Sequence, residues 1–262
     1  MLSSAPSILD VPTKPRKGTG RELSEMASLQ PLGGANRVTA VVEQLTQVVL
    51  RGELKPGALL PPERDLAEHL GVSRNVVREA TKIMQSRGLL TVKQGLGTVV
   101  NGVTSAPMQQ MVSNALHGSE TALLHLTEVR LGLEVQSAAL AAERATEDNV
   151  ARLRELLDAM SKSFSRSDRY ADLDVEFHLE LARATCNPLF VLTLESVATL
   201  LRQSRERALA TEPASVARIA HGAHERIFAA VAAHDPRGAA DAMSDHLERQ
   251  RGEFEKLLAE PD

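Results

Sequence analysis

Thirty residues from Pro61 to Leu90, PPERDLAEHLGVSRNVVREATKIMQSRGLL, restrict the fold of this chain more than any other stretch. Leu66, Ala67 and Leu70 recur at helical spacing and predict a short amphipathic helix. Gly71 ends it, because glycine accepts the positive φ that a tight exit requires. Ser73 is placed to cap a second helix through its hydroxyl. Val76, Val77, Ala80, Ile83 and Met84 predict the buried face of that helix, with Arg74, Asn75, Arg78, Thr81 and Lys82 on its other side. Two short helices around a tight turn, the second opening on basic and polar residues, make a helix-turn-helix. Such a unit sets the first residues of its second helix against base edges in the major groove.

The flanks extend this unit. Val38, Val41, Val42, Leu45, Val48, Val49 and Leu50 predict a helix over residues 36–51. Lys55-Pro56-Gly57 breaks the chain, and Leu59-Leu60-Pro61-Pro62 leads, extended, into the next helix, where Pro62 suits the first turn. Leu89–Val92 and Thr98–Val100 are β-prone runs around Lys93-Gln94-Gly95-Leu96-Gly97, which predicts a hairpin. A hairpin after a helix-turn-helix is a wing. Residues 1–35, rich in Ser, Pro and Gly with no apolar period, are expected to be a disordered arm. Residues 103–118 are expected to be a linker with room for a short helix. From Ser119 the amphipathic runs fall at 119–145, 147–164, 168–186, 188–210, 213–234 and 236–259, with X-Pro steps at Pro188, Pro213 and Pro236. The expected fold is mainly α: a winged helix-turn-helix of three helices and a β-hairpin over 36–102, then an all-α bundle over 119–262.

Composition agrees with helices more than sheets. Aromatic residues are 2% of the 262, and the hydrophobic 43% is dominated by Leu, Ala and Val. A lone cysteine, Cys186, excludes an internal disulfide framework and suits a reducing compartment. No apolar run is long enough to span a bilayer, so no membrane partner and a cytoplasmic location are expected. The net charge of −4 is unevenly divided. Residues 36–102 carry nine basic and six acidic side chains, whereas residues 103–262 carry 17 and 25. Positive charge is therefore concentrated where phosphate contact is expected.

The segment PGALLPPERDLAEHLGVSRNVVREATKIMQSRGLLTVKQGLGTVV resembles the DNA-binding domain of the GntR family of bacterial regulators nearly throughout. The C-terminal helices resemble the FCD domain of the family's FadR branch at EVRLGLE (128–134), AAERAT (141–146), DVEFH (174–178), His224 and His246. Carried over by position, that resemblance implies DNA contacts at Arg64, Ser73, Arg74, Asn75, Arg78 and the wing tip, Gln94 and Gly95. The chemistry is suitable. Arg64 can clamp a phosphate, and Arg74 and Arg78 lie one turn apart, so both can enter the groove. Gly95 allows close backbone approach. The ordinary alternative for any of these basic residues is a solvated helix face.

A second constellation lies in the C-terminal half. Asp174 and His178 are four apart and share a helix face. His224 and His246 lie on two further predicted helices, each beside apolar positions. One carboxylate and three imidazoles suit a divalent metal, zinc first, with nickel, manganese and iron as alternatives. Spacing alone is weak evidence, since a lone helical histidine is more often a satisfied core or rim residue. Metal-binding FCD domains, which this region resembles, carry an Asp and three His at these positions. His221 is a weaker candidate, and His69, His117, His125 and His234 are read as structural.

A metal with open positions in a helical cavity attracts a small organic acid. Arg130 is the candidate for the acid's carboxylate, with a bracing salt bridge to Glu134 or Asp174 as the alternative. The resemblance implies a homodimer on a near-palindromic double-stranded operator, with repression of a catabolic operon relieved by the acid. Two rivals are a metal-free regulator that binds an acyl-CoA and an Asp/His metal-dependent enzyme. The enzyme lacks a general acid or base, since Glu176 and Glu180 are expected on other faces than Asp174 and His178.

Overall fold

Valines and leucines three and four residues apart build the first helix, α1 (Arg37–Leu50), which buries Val41, Val42, Leu45 and Val48. The computed structural model of the chain describes residues 36–102, 104–116, 119, 121–210 and 213–259, and the arm expected over 1–35 lies outside these. Leu50, expected in the apolar stripe, is instead 63% exposed. It lies two residues past Val48, about 200° further round the helix.

The chain divides into two units, one up to Pro107 and one from Met108 onward. In the first, α2 (Glu63–Leu70) buries Leu66, Ala67 and Leu70 and ends at Gly71, whose φ of 68° makes the left-handed exit. Ser73 caps α3 (Arg74–Ser86), its hydroxyl accepting from the Val76 N–H at 3.4 Å. Thr81, expected on the polar face, is buried. It is four residues from Val77 and so shares the apolar stripe, and its hydroxyl is satisfied by donating to the Arg78 carbonyl at 2.9 Å. Strands β1 (Leu90–Lys93) and β2 (Gly97–Val100) pair antiparallel, with Leu90 opposite Val100 and Lys93 opposite Gly97. The Leu59 segment joins them: Leu60 N–H donates to the Thr98 carbonyl at 2.7 Å and Val100 N–H to that of Ala58 at 2.8 Å. Leu45, Leu54, Leu66, Val77, Met84 and Val100 meet in one core.

Gly88 leaves α3 with φ 74°, and a Cβ there would come within 2.8 Å of both Pro107 Cγ and Thr104 Cγ2. Gly88→Ala therefore adds backbone strain to a clash. It is expected to cost about 1–3 kcal/mol, seen as a lower urea midpoint by circular dichroism. An unchanged midpoint would mean that residues 104–107 give way freely.

Helix α4 (Ala106–Ala115) occupies most of the segment expected to be a linker. The remaining helices are α5 (Ala122–Arg144), α6 (Glu147–Ser161), α7 (Ser167–Ala184), α8 (Pro188–Ser196), α9 (Ala198–Ala208), α10 (Pro213–Ala232) and α11 (Pro236–Ala259). The predicted run 188–210 is thus two helices. They part at Val197, with φ −108° and ψ 4°, where neither glycine nor proline marks the break. The proline steps do open helices. Asn187 caps α8 by accepting from Leu189 N–H at 3.1 Å, and Pro188 follows it. Central α7 packs against α5, α6, α8 and α9, while α11 packs on α5 and α10. Tyr170 of α7 donates its hydroxyl to the Ala217 carbonyl of α10 at 2.9 Å. No helix among the described residues is long and apolar enough to cross a membrane.

Candidate functional site

The residues expected to meet DNA occupy the exposed start of α3, the start of α2 and the wing. Arg64, Ser73, Arg74, Asn75, Arg78, Gln94 and Gly95 are all exposed. Arg74 and Asn75 open α3 directly after the Ser73 cap, where the helix also presents free N–H groups. Arg78 is clasped by Glu63 of α2, with its Nη2 2.8 Å from Oε2, and this carboxylate raises the guanidinium's pKa. Arg64 pairs with Asp65 at 3.0 Å. Exposed pairs of this kind are weakly held in water, whereas a bidentate arginine–guanine contact contributes about 1–3 kcal/mol. Arg78 can therefore leave Glu63 for a base. At the wing tip Gly95 has φ 75°, with no atom within 4 Å of where a Cβ would stand.

The second constellation comes together from three helices. His178 of α7, His224 of α10 and His246 of α11 are all buried, and each offers a ligand atom within 4.8 Å of the others. Their ring centroids lie 4.7–5.5 Å apart. Asp174, one turn before His178, places Oδ1 3.6 Å from His224 Nε2 and Oδ2 3.9 Å from His178 Nε2. These gaps are too long for hydrogen bonds but suit donors that share one ion, since bonds of about 2.0–2.2 Å keep two such donors within about 4.4 Å. The group with all ligand atoms within 4.8 Å of one another is the three histidines, with Asp174 beside it. Burial pushes His224 and His246 well below the usual imidazole range, so both rings are neutral with lone pairs available. Neither nitrogen of His224, nor Nε2 of His246, has a hydrogen-bond partner among the described residues. Orphaned buried nitrogens on His224 and His246, converging with His178 beside a carboxylate, fit a divalent cation.

Residues around the cluster hold it in place, and two of them are not legible as site residues in the sequence. Glu134 Oε2 lies against His178 Nδ1. Arg130 donates from Nε to Glu134 Oε1 at 2.5 Å and from Nη1 to Gln250 Oε1 at 2.5 Å, and its Nη2 sits 3.3 Å from His178 Nε2. Of its two expected roles, the geometry matches bracing through Glu134. Arg205 of α9 reaches Asp174, with Nε 2.9 Å from Oδ1. Burial alone would raise both carboxyls, but opposite charge prevails. Arg130 and His178 hold Glu134 at about 2, and Arg205, with His224 and His178, holds Asp174 at about 2. Gln250 sits on α11 among residues of no obvious pattern. Arg205 lies in RQSRERA, a run that reads as a solvated basic face. Glu176 and Glu180 point elsewhere, both paired with Arg183.

The other histidines are apart from the cluster. His221 stands edge-on to Phe164 and 3.5 Å from Glu225. His234 Nδ1 lies 2.8 Å from the Ala142 carbonyl oxygen. His69 and His125 are exposed, and His117 is outside the described residues. A small cavity of about 40 Å³ borders the cluster, lined by Arg205, His246, Gln250 and Arg249 among others. A larger open cleft of about 450 Å³, near Arg154 and Phe228, shares no residue with the cluster.

Comparison with known proteins agrees with both halves. Residues 37–100 match the family described as bacterial regulatory proteins, gntR family, and residues 125–249 match the FCD domain. The HTH-type transcriptional regulator LutR of Bacillus subtilis (strain 168) is 37% identical over 204 residues, spanning 76% of this chain and 93% of LutR. The HTH-type transcriptional repressor NanR of Enterobacter sp. (strain 638) is 30% identical over 225 residues, spanning 83% of this chain and 85% of NanR. A solved structure of a Streptococcus agalactiae GntR protein superposes with a TM-score of 0.66 at 30% identity, covering 82% of this chain and 99% of that one.

Proposed function

The chain belongs to the GntR family of bacterial DNA-binding transcription regulators, and from that premise we propose that it is a repressor released from its operator by a small organic acid bound at a metal centre. It is a regulator rather than an enzyme, which removes the reading as an Asp/His metal-dependent enzyme. Repression is the sign suggested by NanR, which is named a transcriptional repressor. DNA reading is assigned to Arg74, Asn75 and Arg78 in the major groove. Arg64 and Ser73 serve the backbone, and Gln94 and Gly95 form the wing contact. One such head reads only a few base pairs, so a homodimer of the FadR type on a near-palindrome is proposed.

The observation that carries the metal proposal is the buried trio His178, His224 and His246, with the unpartnered nitrogens of His224 and His246. Asp174 with these three would hold the ion, and zinc suits three imidazoles and a carboxylate. Bound there, the ion supplies a Lewis-acidic position for a carboxylate or hydroxyl oxygen. Glu134 Oε2 lies against His178 Nδ1 and so orients the ring, and Nε2, which Arg130 Nη2 faces at 3.3 Å, would exchange that contact for the ion. Arg130 in turn fixes Glu134. The cavity of about 40 Å³ supports a small acid over an acyl-CoA.

A physical route from the acid to the DNA-binding half begins at α9. That helix carries Arg205 at the cluster, and its Thr199 accepts a hydrogen bond from Gln109 of α4 at 2.9 Å. A ligand that favours one position of α9 thereby biases α4, and only by its differential affinity for the two states.

The test uses the full chain and an operator selected by the chain itself from a random DNA pool, read by fluorescence anisotropy. Zinc together with one of glycolate, gluconate or succinate is expected to weaken operator binding more than about tenfold, a coupling within the usual range. Zinc alone is expected to leave it tight. Unchanged binding with every acid, with or without chelator, would overturn the proposal. Release by zinc alone would replace it with a metal sensor.

A further inference from the structure

We infer that Arg205, rather than Arg130, receives the effector's carboxylate, and that the effector is a compact monocarboxylate. The inference rests on the effector reading above and makes it specific. Two buried guanidinium groups flank the histidine cluster, and their donors are differently committed. Arg130 is committed at Nε to Glu134 and at Nη1 to Gln250, and its Nη2 lies 3.3 Å from His178 Nε2, a contact that a bound ion would displace. Arg205 is 3% exposed and places Nε 2.9 Å from Asp174 Oδ1, yet neither its Nε nor its Nη2 has a hydrogen-bond partner among the described residues. A buried charged donor without an acceptor carries a desolvation cost until something accepts from it. A carboxylate, whose two oxygens match the guanidinium fork, is the acceptor that suits it best.

The position of Arg205 favours the same role. It lines the small cavity together with His246, so one ligand can touch both the arginine and the edge of the metal cluster. Arg130 does not line that cavity. The cavity opens between α10, where Ile219 is 50% exposed, and α11, where Arg249 and Glu253 are exposed. Its volume of about 40 Å³ is small. A water needs roughly 10–15 Å³ of such space, so the cavity suits about three waters or an acid of roughly two carbons. Charge at the rim narrows the class further. Arg249 and Glu253 are of opposite sign, so the mouth offers little net attraction for a second carboxylate. The matching ligand has one carboxylate for Arg205 and a short, polar or small remainder.

Arg130 is then a positioning residue. It holds Glu134, and Glu134 holds His178, so its loss is felt first in metal affinity.

Glycolate serves as the short probe, with hexanoate, succinate and the neutral glycolamide as comparisons. Binding to the zinc-loaded full chain is followed by calorimetry, with zinc content measured for each protein. Wild type is expected to bind glycolate in preference to the other three. Arg205→Lys preserves a positive charge beside Asp174 and so protects the fold, but it lacks the fork. It is expected to bind zinc somewhat more weakly through Asp174 and, at saturating zinc, to bind glycolate more weakly by about tenfold or more, the effect of losing a charge-assisted hydrogen bond. Arg205→Met is expected to bind it more weakly still. Arg130→Met is expected to weaken zinc binding, yet at saturating zinc to retain glycolate within about threefold.

Wild-type affinity in Arg205→Lys at full zinc occupancy would overturn the inference. So would loss of glycolate binding in fully zinc-loaded Arg130→Met, a preference for hexanoate or succinate, or no binding of glycolate at all. A wild-type chain that takes up no zinc would instead defeat the metal reading of the preceding subsection. Glycolate titration of the metal-free chain against Arg205→Lys then decides the role of Arg205 on its own.

Discussion

Arg74→Ala is expected to abolish discrimination between the operator and random DNA while leaving helicity and oligomeric state unchanged. Arg74 is the first residue of α3 and is exposed, so its side chain supports no core contact. A bidentate arginine–guanine contact discriminates by about 1–3 kcal/mol, or about 2–6 kcal/mol over the two heads of the proposed dimer. At 1.4 kcal/mol per factor of ten, the loss runs from roughly 30-fold to above ten-thousand-fold. The measurement is a pair of affinities, operator and scrambled duplex, across a range of salt. An arginine that only touched phosphate would weaken both duplexes alike and reduce the salt slope by about one. Parallel loss on both duplexes would therefore move Arg74 from base reader to backbone clamp, and retained discrimination would remove it from the recognition surface. Arg78 is a less decisive choice, because its truncation also releases Glu63 at the start of α2.

His224→Ala is expected to remove stable metal binding. The imidazole is fully buried, neither nitrogen has a hydrogen-bond partner among the described residues, and it is the ring closest to the Asp174 carboxylate. Changes merely to residues that support metal ligands cost about 10–100-fold in affinity, so loss of a ligand should exceed about a hundredfold. Zinc retained after gel filtration against a mild chelator, measured by elemental analysis, gives the result directly. Thermal unfolding supplies a second readout. Without metal the two proteins are expected to melt close together. The cavity left by the ring is offset by relief of two unsatisfied buried nitrogens. With zinc at a thousand times its dissociation constant, wild type alone should gain about 4 kcal/mol. Undiminished zinc in the variant would show that the ion binds elsewhere.

The winged unit was legible because its signals are local. Gly71, Ser73 and the stripe from Val77 to Met84 each act within a turn or two of their own position, and the structure has them in those roles. Failures within that unit are of the same small scale. Leu50 lies off the stripe, and Thr81 lies on it because its hydroxyl is satisfied by its own helix. The bundle was legible where proline marks a helix start, at Pro188, Pro213 and Pro236. It was not legible at Val197, where a helix breaks without glycine or proline.

Residue patterns along the chain carry the elements of the winged unit, the proline-started helices of the bundle, the polar opening of α3, and three histidines on apolar helix faces. Periodicity carries that much, since it reports which face of a helix turns inward. Only the tertiary structure decided what those faces meet. It brought His178, His224 and His246 within ligand distance of one another from helices far apart in sequence. It joined Arg130 to Glu134 and Gln250, and it sank Arg205 beside Asp174 while Arg207, two residues on, stays exposed. The three arginines of RQSRERA are chemically identical along the chain. What distinguishes Arg205 is a carboxylate 31 residues away on another helix, and such an encounter depends on how helices pack rather than on any residue's own neighbours.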